Sequence, residues 1–94
     1  MKAQRAADAK KFEDIPNVGP RIARDFRTLG FSRPMDLKGK DPFMFYKKLC
    51  TKTKTRHDPC LLDVFMSVTD FMNGGIVRDW WYYTPKRKKL HPTI

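Results

Sequence analysis

"IPNVGPRIARDF", residues 15–26, is the stretch on which the reading of this chain turns. Pro16, Asn17, Gly19 and Pro20 fall within five positions, a density that interrupts any regular element. Pro20 then suits the first position of a new helix, where its missing N–H costs nothing. Ile22, Ala23, Phe26 and Leu29 follow at helical spacing, and Gly30 stops the run. A helix begun this way leaves N–H groups without acceptors at its start. Those donors lie at the positive end of the helix dipole, an arrangement that holds anions. Gly19 has no side chain to keep an anion away from the backbone. Asn17 is one of the few residues besides glycine that tolerate a positive φ. Arg21 adds charge in the first turn, and Arg24 and Arg27 continue it along the helix.

The same logic extends outward. Residues 3–14 are Ala-rich and charged, and predict a first helix, frayed over residues 1–8, with Phe12 and Ile15 as its apolar positions. "SRPMDLKG", residues 32–39, holds one short helical turn. Asp41-Pro42 and Asp58-Pro59 each pair a capping residue with a helix-starting proline. They predict helices over 42–50 and 59–73, joined by a basic, Thr-rich loop at 51–57. In the second of these, Leu61, Val64, Phe65, Val68 and Met72 repeat at helical intervals, so this is the expected central helix. Asn73-Gly74-Gly75 ends it. "PKRKKLHPTI", residues 85–94, offers no core positions and reads as a flexible basic tail. The expectation is an all-α domain of four to five helices over residues 1–84.

Ninety-four residues allow one domain, and 40% hydrophobic content supports a modest core. Twenty Lys and Arg against ten Asp and Glu give a net charge of +10, which points to a polyanionic partner, with nucleic acid first. No run approaches a membrane span, and the N-terminus lacks the apolar core of a secretory signal, so the expected location is cytoplasmic.

Residues 12–26, "FEDIPNVGPRIARDF", resemble a helix-hairpin-helix motif, whose turn usually reads Gly-hydrophobic-Gly-Pro followed by Ala. Asn17, Val18, Gly19, Pro20 and Ala23 fill those places, with Asn17 standing where the first glycine is usual. "LKGKDPFMFYKKLC" (37–50), "RHDPCLLDVF" (56–65) and Trp80-Trp81 extend the resemblance to the small bacterial pathogenicity-locus family of helix-hairpin-helix proteins. The C-terminal domain of bacterial competence regulators is similar, more weakly. The resemblance implies binding to the DNA backbone with little sequence preference. It places the amides of Asn17, Gly19, Arg21 and Ile22 against phosphate, around Val18. It also implies a monovalent cation on the carbonyls of Glu13, Ile15 and Val18.

A second, degenerate hairpin would comprise helices 42–50 and 59–73. Lys47, Lys48, Lys52, Lys54 and Arg56 lie there with no acid among them, and read either as a second backbone clamp or as a solvated loop. Lys52, Lys54 and Arg56 join Arg24 and Arg27 as supporting charge. Cys50, His57 and Cys60 are weak candidates for a metal site that lacks a fourth ligand unless His91 or a partner supplies it. Cys60, at a helix start, is placed to favour a thiolate. Trp80, Trp81, Tyr82 and Tyr83 read as a core lid, a protein-contact or self-association strip, or a platform for unpaired bases. No nucleophile–base spacing or phosphate loop appears, so no catalysis is expected. Two other classes stay open. One is a protein–protein adaptor whose hairpin is only packing, and the other is a Cys-based redox or metal-responsive regulator.

Overall fold

The computed structural model describes residues 2–94; Met1 lies outside them. The described chain is all-α, with four α-helices and no strand: α1 (Pro20–Thr28), α2 (Pro42–Thr53), α3 (Pro59–Met72) and α4 (Thr84–Leu90). Four short 3-10 turns, Ala6–Asp8, Phe12–Asp14, Pro34–Leu37 and Trp80–Tyr83, connect or flank them.

The three longer helices start where proline placed them. Asp41 and Asp58 cap α2 and α3 by accepting from the Phe43 and Cys60 amides. α2 runs three residues further than its apolar pattern. Thr53 Oγ1 bonds the Leu49 carbonyl, and Lys54 closes the helix in the left-handed conformation at φ 53°. α3 is apolar nearly all round and accordingly buried on nearly every face, from Leu62 to Thr69 and again at Phe71 and Met72. Gly75 turns the chain away from it. A Cβ at this position would lie 2.7 Å from the Asp70 carbonyl oxygen, so only glycine fits.

The expected first helix over 3–14 is replaced by two single 3-10 turns. Asp14 is the reason. Its carboxylate reaches back to the Lys10 and Lys11 amides at 2.9 and 3.1 Å, which fixes Lys11 in an extended conformation. No helix can run through that residue. Asp36 does the same to Ser32 and Arg33 ahead of Pro34–Leu37. These bonds hold both carboxylates below the usual range. The segment read as frayed contributes to the core, because Ala3 and Ala9 are buried and the Ala3 amide donates to the Asp14 carbonyl.

Phe26 of α1 sits at the centre of an aromatic cluster. Its ring centroid lies 5.3 Å from Phe12, 5.9 Å from Phe45 of α2 and 5.4 Å from Phe65 of α3. These contacts bolt the short α1 to the α2–α3 hairpin.

The second correction concerns the tail. Residues 84–90 form α4, and Arg87 is buried against α3. Its guanidinium donates to both oxygens of the fully buried Asp63, at 2.9 and 3.4 Å, and Thr84 Oγ1 donates to the same carboxylate at 2.7 Å. His91 stacks on Phe43 of α2 at 4.0 Å. Apolar patterning could not reveal this helix, because a charge holds it in place. Removing one member of a buried ion pair strands the other, so Arg87→Ala should cost about 3–5 kcal/mol in urea unfolding. The double change Asp63→Leu with Arg87→Met should recover most of that loss.

Candidate functional site

The turn between Phe12–Asp14 and α1 is held from inside. Ile15, Pro16 and Val18 are buried, so Val18 serves as an anchor and presents no side chain outward. Asn17 adopts φ 72°, the left-handed conformation its side chain tolerates. Its side-chain Nδ2 also donates to the Arg78 carbonyl at 2.8 Å and to Ser67 Oγ at 3.3 Å. A glycine here would supply the conformation but not this staple to the segment after α3.

Outward, the start of α1 is open. The amides of Asn17, Gly19, Arg21 and Ile22 donate to no protein acceptor among the described residues, and Gly19 provides no side-chain cap. α2 and α3 differ, since an aspartate closes each of them. Gly19 itself has an extended backbone, φ −96° and ψ −175°, and a Cβ there would meet nothing within 4 Å. The glycine is therefore not required by the fold, and it leaves space above the free amides. Arg21 and Arg24 are exposed and enter no ion pair among the described residues.

Arg27 is engaged differently. It pairs with Glu13 at 3.1 Å and lies over the Phe12 ring, clipping α1 to the preceding turn. Arg27 holds the Glu13 carboxyl below its usual range. Lys2 adds a second clip, its ammonium donating to the Glu13 and Val18 carbonyls. Two of the three carbonyls expected to hold a monovalent cation thus carry a side-chain ammonium. The third, of Ile15, accepts from the Val18 amide.

The loop after α2 meets the same end of the molecule. Arg21, Ile22 and Asp25 of α1 share a cleft of about 220 Å³ with His57, Asp58, Cys60, Leu61, Val64 and Trp80. Arg56 and Lys54 are exposed on this loop, whereas Lys52 lines a separate groove with Leu29, Met44, Lys47 and Lys48. No cluster of three potential metal ligands occurs among the described residues. His57 Nε2 pairs with Thr53 Oγ1 at 2.8 Å, and both cysteines are free and half-buried. Burial, followed by the hydrogen bond to Asp58, pushes the Cys60 thiol up, opposite to the thiolate expected at a helix start. Burial and the capping carboxylate beside it both favour the neutral thiol.

A family model described as a pathogenicity locus (Cdd1) matches residues 5–89. The chain belongs to this family. It is also 38% identical over 85 residues to the mitomycin resistance protein McrB of Streptomyces lavendulae, covering 90% of this chain and 81% of the relative. No solved structure matches. The match reaches into α4, so the ion pair that closes this pathogenicity-locus fold falls within the family region.

The aromatic run of this family member divides by role. Tyr83 is buried and donates to Asp70 at 2.5 Å, burial being the largest of the effects that push its hydroxyl far up. Trp80 is half-buried in the cleft wall. Trp81 and Tyr82 are 59% and 57% exposed. No described helix is long and apolar enough to cross a membrane.

Asp25 is the residue that sequence reasoning passed over. It lies half-buried in the cleft and makes no hydrogen bond or ion pair among the described residues, and burial raises its carboxyl above the ordinary range. Nothing in the periodicity marks it; its signal is an acid on an otherwise cationic helix face. A raised folded-state value means that the ionised form opposes folding. The opposition is present at neutral pH and vanishes as pH falls through the raised value towards about 4. Asp25→Asn should therefore raise the melting temperature at pH 7 and lose that advantage in acid, as followed by thermal unfolding across pH.

Proposed function

We propose that this protein binds DNA through its phosphate backbone, with little sequence preference, and that the Phe12–Asp14 turn, residues 15–19 and α1 act as a helix-hairpin-helix with a shortened first helix. The observation that carries this reading is the open start of α1, where amides and arginines without partners among the described residues, Arg21 and Arg24, coincide with the helix dipole. Phosphate oxygens are acceptors that match such donors without reading bases. The +10 charge supports the same partner. Lys54 and Arg56, on the loop that meets α1 at the cleft, supply further charge. The mitomycin resistance relative supplies a biological setting and no reaction. In this reading the protein is an accessory factor and performs no catalysis.

About four to six phosphate contacts predict a log–log salt slope of roughly −4 to −5 in duplex titrations. A flat response counts directly against backbone binding. Arg21→Glu should weaken binding to all sequences alike. Gly19→Ala separates the site from the fold, because the backbone accepts a Cβ there. It should leave the melting temperature unchanged or slightly higher and still weaken binding, since the methyl group occupies the approach to the free amides.

A second reading, an adaptor, is favoured by the exposed Trp81 and Tyr82, with Ile76 and Val77 a few residues earlier in the chain at 65% and 46% exposed. Concentration-dependent size-exclusion chromatography of the wild type and Trp81→Ser tests self-association through that strip.

A further inference from the structure

The cleft beside the start of α1 is unlike a phosphate site. Leu61, Val64 and Trp80 give it apolar walls, and Asp25 places a carboxylate inside it. Phosphate oxygens are repelled by a carboxylate and poorly served by apolar walls. A nucleobase has the opposite chemistry: a flat π face for an indole, ring and exocyclic N–H donors for a carboxylate, and no charge. Arg21 and Asp25 stand four residues apart on α1 and so face the same way. Arg21 belongs both to the open helix start and to the rim of the cleft, and Asp25 lies in the cleft alone, so the two sites are contiguous.

We propose that this cleft receives a single unstacked nucleobase, with its face on Trp80 and an N–H donor directed to Asp25, from a strand whose phosphate rests on the amides at the start of α1. The inference rests on the backbone-binding reading and adds a substrate class to it: DNA with unpaired bases, in single strands or at branches. Trp81 and Tyr82 lie outside this cleft and are not needed for it.

The test uses the full chain carrying Trp81→Phe, so that Trp80 is the sole indole. Three probes are titrated at matched salt: a short oligothymidylate, an abasic oligomer of equal length and the same phosphate count, and a duplex. Quenching of Trp80 by oligothymidylate alone is expected, with about tenfold weaker binding of the abasic strand. Asp25→Ala should shrink that ratio while tightening abasic binding, because a negative charge next to phosphate has been removed. Equal affinity and equal quenching by the abasic oligomer would overturn the base cleft and leave backbone binding standing. Tighter binding of oligothymidylate with Trp80 unperturbed would also overturn it, placing the bases elsewhere. Absence of binding to all three probes would overturn both readings together.

Discussion

The Asp63–Arg87 pair is set by how fully α3 is wrapped. A helix buried on nearly every face has nowhere to expose a polar residue, yet Asp63 stands in its second turn with no access to water. Its charge must be met from within. Arg87 and Thr84 meet it, and in doing so they draw α4 against α3. The Trp80–Tyr83 turn lies directly before α4, so its position follows from the same anchor. Tyr83 then reaches Asp70, about two turns further along α3. Through this chain of contacts a buried carboxylate fixes the wall of the cleft at the opposite end of the sequence from α1.

Much of this architecture could be read from the sequence, because prolines and capping aspartates are local signals. Pro20, Pro42 and Pro59 mark the three longer helices correctly, and the apolar rows of α1 and α3 identify their buried faces. The two departures have a common origin. Residues 3–14 have helical composition, but the Asp14 carboxylate claims the amides that a helix would use. Residues 84–90 have no apolar row at all, and their helix is held by a partner 24 residues away in sequence. Side-chain hydrogen bonds and buried charges decide both cases, and neither leaves a periodic trace.

The candidate site was legible to a different degree. Its backbone character follows from the Pro/Gly pattern, and Arg21 and Arg24 enter no ion pair among the described residues. Arg27 and Val18 are not, because one is clipped to Glu13 and the other is buried. The cleft could not be foreseen, since it joins residues 21–25, 57–64 and 80. The cysteines and histidines invited a metal reading through their spacing alone, but a capping carboxylate, a threonine and a phenylalanine ring engage Cys60, His57 and His91 respectively.

The Asn17 staple has a consequence beyond holding a turn. Its bond to the Arg78 carbonyl makes the α1 turn and the segment leading to Trp80 one mechanical unit. Two positions after Arg78, the chain delivers the indole to the cleft. Whatever fixes the turn at Asn17 therefore also limits the freedom of Trp80, and the converse holds. A glycine in place of Asn17 would keep the turn's shape and release it from the segment that carries the indole, so the asparagine side chain is what joins the two.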